Sequence, residues 1–133
     1  MYKRQNNIKT EVAKEKFTAD EVLKTESGGD ELFFDEYSGR YFNSTVENVI
    51  LAEYQFNRNF ALCGNTSLNE FYEFLGIPKI SGGELLGWSI DKSESFYGYS
   101  WIDFDHTFSV TEDGLECYII SLRFPPHLLE YVV

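Results

Sequence analysis

Two capped helices in the middle of the chain limit what it can fold into. Ser44-x-x-Glu47 and Ser67-x-x-Glu70 each have the form of a capping box, in which Ser and Glu satisfy backbone N–H groups at a helix start. Gly64 stands where the first helix must stop. Gly76, with Pro78 two residues on, stands where the second must stop. The spacing predicts helices over Thr45–Cys63 and Leu68–Leu75. Val46, Val49, Ile50, Ala52, Phe56, Phe60 and Cys63 recur at helical spacing and are expected on one broad buried face. Leu68, Phe71, Tyr72 and Leu75 supply the buried stripe of the second helix.

Strand patterns flank the helical pair. Asp30–Asp35 and Arg40–Phe42 read as a hairpin turning at Tyr37-Ser38-Gly39, where Gly39 can take a positive φ. Leu86–Asp91, carrying Trp88, reads as a third strand. Tyr99–Val110 reads as a fourth: Tyr99, Trp101, Asp103, Asp105 and Thr107 alternate there with Ile102, Phe104, His106 and Phe108. Glu112-Asp113-Gly114 is a hairpin turn, and Leu115–Phe124 is a fifth strand ended by two prolines. The order ββααβββ predicts an α+β fold, with an antiparallel or mixed sheet and two helices packed on one face.

Charge divides the 133 residues near position 25. Residues 1–24 carry six basic and four acidic side chains, a net +2, whereas residues 25–133 carry five and eighteen, a net −13. Residues 1–25 are accordingly expected as a basic, partly disordered tail with a short helix over Ala19–Lys24, capped by Thr18-x-x-Glu21. Residues 26–133 are expected as an acidic, aromatic-rich domain. With 17% aromatic and 43% apolar residues, the chain as a whole is no disordered acidic chain. Its charge excludes direct nucleic-acid binding, which needs clustered Lys and Arg, and disfavours anionic membranes. Met1–Asn7 has basic residues with no apolar run behind them, and no stretch is apolar enough to span a membrane. Cys63 and Cys117 are expected as reduced thiols of a cytoplasmic protein. Asn43-Ser44-Thr45 and Asn65-Thr66-Ser67 fit better as helix starts than as glycosylation sites.

Few residues point to chemistry. Asp103-x-Asp105 puts two carboxylates on one strand face, close enough to share a divalent cation, with Glu112, Asp113 or Glu116 as further ligands. An acidic strand face that discourages sheet-to-sheet pairing explains the same pattern. Glu70-x-x-Glu73 lacks the partner motifs of a diiron site, and Glu70 is used as a cap. Gly82-Gly83-x-x-x-Gly87 precedes a strand and lacks the Lys of a phosphate loop, so it reads as a flexible connection. His106 and His127 are the only histidines, and neither adjoins a nucleophile signature; His127, after two prolines, is expected exposed. Nothing here asks for a cofactor. The cluster Phe96-Tyr97-Gly98-Tyr99-Ser100-Trp101 fits two readings: a loop covering an aromatic core, or a contact surface in which Tyr97, Tyr99 and Trp101 present rigid amphipathic rings.

Five ordered segments carry a resemblance. They are Phe33–Phe42, Tyr54–Arg58, Ser67–Tyr72, Leu75-Gly76 and Leu86–Ser89, giving SGRYF, LNEFY and LGW in order. They resemble an uncharacterised family encoded by phages and mobile elements of Gram-positive gut bacteria, over about residues 10–133. Many members look like an N-terminal membrane helix, a basic linker and this domain, and the present chain starts at the linker. The resemblance implies a phage or mobile-element accessory protein and supplies no catalytic residues.

Three functions compete. The first is a non-enzymatic domain that binds another protein through the Tyr97–Trp101 loop and exposed strand edges. The second is an acidic mimic of nucleic acid that blocks a host nucleic-acid-binding or defence protein, with Asp30, Glu31, Asp35, Glu36, Asp103, Asp105, Glu112 and Asp113 standing in for phosphates. The third is a metal-dependent hydrolase using Asp103 and Asp105.

Overall fold

The structure is a computed structural model and describes residues 22–25, 28–90 and 101–129. Its fold is α+β; among the described residues it has two helices, a mixed five-stranded sheet and a small antiparallel sheet. The chain divides into two compact units. One holds the described residues up to Thr45 together with Asp105–Ser121; the other holds Val46–Phe104 and the described residues from Leu122 onward.

The first unit is built on the large sheet. Strands β1 (Val22–Lys24), β2 (Glu31–Asp35), β3 (Arg40–Ser44), β6 (Phe104–Val110) and β7 (Glu116–Leu122) lie in the order β1-β3-β2-β7-β6. The β2–β3 hairpin forms as its sequence predicts. Gly39 takes a φ of 71° and donates its N–H to the Asp35 carbonyl at 2.8 Å. The carboxylate of Asp35 accepts from the Ser38 N–H and hydroxyl, and Arg40 Nε donates to Ser38 Oγ. β2 then pairs in parallel with β7, and β1 in parallel with β3.

Each face of this sheet has its own packing. Leu32, Phe34, Tyr41, Cys117 and Ile119 form one buried cluster, with Val22 against it. On the opposite face an aromatic row crosses four strands. Phe42 stacks on Phe33 at 5.4 Å, Phe33 on Tyr118 at 5.3 Å, and Tyr118 meets Phe108 at 5.3 Å. The row runs from fully buried Phe42 to half-exposed Phe108.

Val22–Lys24 forms a strand where a helix is expected. Pairing with Tyr41, Phe42 and Asn43 satisfies its backbone, and the Thr25 hydroxyl donates to the Asn43 carbonyl at 3.0 Å. Tertiary pairing outweighs the weak helical preference of a β-branched residue. Ala19–Glu21 lies outside the described residues. In β6 the expected faces are exchanged. Asp105, Thr107 and Ser109 are half-buried, whereas His106, Phe108 and Val110 are exposed.

The second unit holds both described helices. Helix α1 (Val46–Cys63) ends at Gly64, whose N–H bonds the Phe60 carbonyl. Helix α2 (Leu68–Leu75) has the complete capping box: Glu70 N–H donates to Ser67 Oγ, and Ser67 N–H donates to the Glu70 carboxylate at 2.8 Å. Gly76 closes it at a φ of 82°. Phe56, Phe71, Trp88 and Phe104 interlock at its core, with ring centroids 4.7 to 6.0 Å apart.

Two short strands escape sequence patterning. β4 (Asn65–Ser67) and β8 (His127–Leu128) flank β5 (Leu86–Ser89), which leaves the large sheet to form a small one with them. His127, expected exposed, is half-buried in β8. β5 lies so close to β4 that a Cβ on Gly87 would run into the Thr66 carbonyl. The Trp88 indole donates to the Phe124 carbonyl at 2.8 Å.

Two asparagines fix irregular segments to these helices. Asn57, on α1, accepts from the Ile102 N–H and donates to the Ile102 carbonyl. Asn69, on α2, treats Ile80 in the same way and also donates to the Glu84 carboxylate. The Gly82-Gly83 connection is therefore pinned rather than flexible: Gly83 sits against the Asn69 side chain and bonds its backbone N–H.

Candidate functional site

Helix α1 is apolar on two sides. Val49, Ala52, Phe56 and Phe60 are buried. Val46 and Ile50, expected beside them, face solvent instead, as does Cys63. Val46, Ile50 and Tyr54 follow one another at four-residue steps and so form a ridge along the outer face. Ile50 is 51% exposed and Tyr54 54% exposed. Leu51 flanks the ridge and is equally exposed.

Trp101 completes this surface. Its ring lies 6.2 Å from that of Tyr54, centroid to centroid, and is 46% exposed. Its place follows from its neighbour. Ile102 is fully buried, and the 2.6 Å bond from its N–H to Asn57 Oδ1 holds the backbone on α1. Asn57 stands three residues after Tyr54, so the helix that carries one ring also positions the other. An aliphatic ridge with an amphipathic aromatic pair at one end has the make-up of an interface core.

The other residues singled out in the sequence separate. Tyr97 and Tyr99 lie outside the described residues. Asp35 is 1% exposed and spends its carboxylate on Ser38, so it presents no charge to a partner. Glu36 is half-buried, and its N–H bonds the Ile120 carbonyl. Asp103 faces Arg123 at 3.7 Å, an exposed ion pair worth about 0–1 kcal/mol. Asp105 is half-buried. Asp30, Glu112 and Asp113 are exposed, and Glu31 is half-buried at the start of β2. Among the described residues, no three His, Cys, Asp or Glu side chains gather to hold a metal ion.

The cysteines differ in kind. Cys63 is exposed, with its thiol 3.5 Å from Asn59 Oδ1. Cys117 lies in the sheet core, where burial pushes its thiol up to about 11. No helix among the described residues is long and apolar enough to cross a membrane.

Sequence reasoning reached Trp101 but passed over Tyr54. The signal was present: the apolar residues of α1 span more than half its circumference, more than one buried face can use. Tyr54 apart, the segments that carry the family resemblance serve the scaffold. Phe33 and Phe42 stack, Asn57 and Asn69 grip backbone, Glu70 caps α2, and Gly87 and Trp88 lock β5 in place.

No curated protein and no solved structure matches the chain. One family model does match, over residues 2–132, and the chain belongs to that family, a family of unknown function (DUF6353).

Proposed function

We infer that this chain is a protein-binding accessory module of a phage or mobile element, acting without chemistry of its own. The phage or mobile-element part rests on the SGRYF, LNEFY and LGW resemblance. The binding part rests on one observation: α1 presents Val46, Ile50 and Tyr54 to solvent beside Trp101 while its opposite side builds the core. An exposed apolar surface on a small domain is a liability unless a partner covers it. The partner is another protein with a matching apolar helix or groove, since a ridge of i, i+4 and i+8 side chains suits helix-to-groove recognition.

Site-specific photo-crosslinking in host cells tests this reading. A benzophenone side chain placed at Tyr54 should yield a discrete adduct, and one placed at exposed Gln55, beside the ridge, should yield much less. Ile50→Glu in the Tyr54 probe should abolish the adduct while leaving the melting temperature within a few degrees. Equal adducts from both positions, or none from Tyr54, would overturn it.

A further inference from the structure

A second surface lies in the first unit, at the open side of β6. Among the described residues, no strand pairs with β6 on the side away from β7. Two bonds fix the β6–β7 register. Thr111 N–H reaches the Leu115 carbonyl at 2.8 Å, and Arg123 N–H reaches the Asp103 carbonyl at 3.2 Å. Odd-numbered residues of β6 therefore bond to β7. The backbone groups of the even-numbered Phe108 and Val110 point outward, because the two sides alternate along an antiparallel ladder. Both side chains are 50% exposed.

Two rows of side chains end at this edge. One is the aromatic row Phe42, Phe33, Tyr118, Phe108. The next row follows from the register. Leu32 lies beside Cys117, so Glu31 lies beside Glu116, and Glu116 lies opposite Val110. Glu31 and Glu116 line a depression of about 250 Å³ together with Asp30, Leu32, Leu115 and Tyr118. Glu112 and Asp113 stand exposed in the adjoining turn. The edge thus offers an apolar position beside Phe108 and, two residues along, a strongly negative one past Val110.

We propose that β6 receives an extended, basic segment of a partner protein as a sixth strand of the sheet. The added strand lies about 4.8 Å beyond β6 and bonds the outward groups of Phe108 and Val110. It sets an apolar side chain against Phe108, lengthening the aromatic row. It carries Lys or Arg beside Val110, with the stem along that side chain and the cation directed at Glu116 and Glu31. The negative flank selects the occupant. It attracts basic strands and repels acidic ones, among them the acidic body of a second copy of this chain. The proposal is independent of the α1 ridge.

Fluorescence anisotropy with short synthetic peptides tests it. The probe alternates threonine with apolar residues, has phenylalanine at its centre and carries lysine two positions on. It should bind, and binding should weaken as salt rises. A twin with glutamate for lysine should bind at least about tenfold more weakly. A twin with N-methyl groups on its edge-facing amides should not bind. Glu116→Lys should reverse the preference between the lysine and glutamate peptides. Val110→Pro, which removes an outward donor and no ladder bond, should cut binding to all of them. If Val110→Pro fails to fold, the N-methyl peptide reads the same backbone contact. Tyr54→Glu should change none of these affinities, which separates this edge from the ridge. Absence of binding by the lysine peptide, equal binding of the lysine and glutamate peptides, or indifference to N-methylation would overturn the proposal.

Discussion

Asn57 grips the backbone of Ile102 with both ends of its side-chain amide, donating to the carbonyl at 2.9 Å and accepting from the N–H at 2.6 Å. It acts as one link of a β-ladder supplied by a helix. Asn57 is 1% exposed and Ile102 fully buried, so no water can stand in if the amide is lost. Asn57→Ala leaves two backbone groups unsatisfied and should cost about 2–4 kcal/mol in urea unfolding. Asn57→Asp turns a second acceptor on the Ile102 and Glu53 carbonyls in a buried site and should cost at least as much at neutral pH. In both variants the Trp101 segment loosens from Tyr54, so a crosslinker at Tyr54 should lose efficiency before the protein unfolds. An Asn57→Ala cost within about 0.5 kcal/mol of zero would show that the grip contributes nothing.

Gly87→Ala is expected to be more damaging than its size suggests. Its φ is unremarkable, so the cost is not conformational; the added methyl meets the Thr66 carbonyl on the paired strand. Overpacking of this kind costs about 1–3 kcal/mol or more. Because β5 also carries Trp88, the variant should shift the indole emission to the red as well as lower the melting temperature.

Phe33 and Phe108 sit in one aromatic row yet should respond very differently to truncation. Phe33→Ala opens a cavity between two stacked neighbours and should cost about 3–5 kcal/mol. Phe108→Ala removes a half-exposed ring with one aromatic neighbour and should cost about 1 kcal/mol. Denaturant titrations of the two variants check the gradient.

The thiols supply a pH test. Cys63 should react with a thiol reagent at once and Cys117 only on unfolding. The Cys117 thiol titrates near 9.0 in the unfolded chain and at about 11 in the fold, because burial opposes the thiolate. Between those values the folded state holds a proton that the unfolded state has lost. Stability therefore falls as pH rises through that window and is unaffected below it. The shift corresponds to roughly 2–3 kcal/mol. Cys117→Ala should lower stability at neutral pH, yet lose less than the parent protein between pH 9 and 11. Parallel losses in the two proteins would rule out the thiol as the cause.

What could be read from the residues is what local chemistry controls. The bounds of α2 follow from Ser67, Glu70 and Gly76, each satisfying backbone groups within a turn of itself. The β2–β3 hairpin follows from Gly39 in the same way. Where tertiary contacts decide, the reading fails. Val22–Lys24 is a strand because β3 offers it a ladder. β4 and β8 are too short to show any period. In α1 and β6 alternation identifies the two faces but not which one is covered. Val46, Ile50 and Phe108 look like core residues for that reason, and they are residues on which the two proposed surfaces rest. Trp101 stood out as an aromatic in an irregular segment, whereas Tyr54 hid inside a helix already explained.

The parallel pairing of β2 with β7 joins segments more than eighty positions apart. The second unit, too, needs residues from both ends of its span, since Trp88 and Leu85 bond to Phe124 and Leu129. A nascent chain lacking β7 and β8 therefore has neither sheet complete. The β2–β3 hairpin leaves the ribosome before β7, with Phe33 still without Tyr118, and waits for β7 to follow. A stop before Glu116 leaves both sheets incomplete, whereas one between Leu122 and His127 keeps β7 and deprives only the small sheet of a strand.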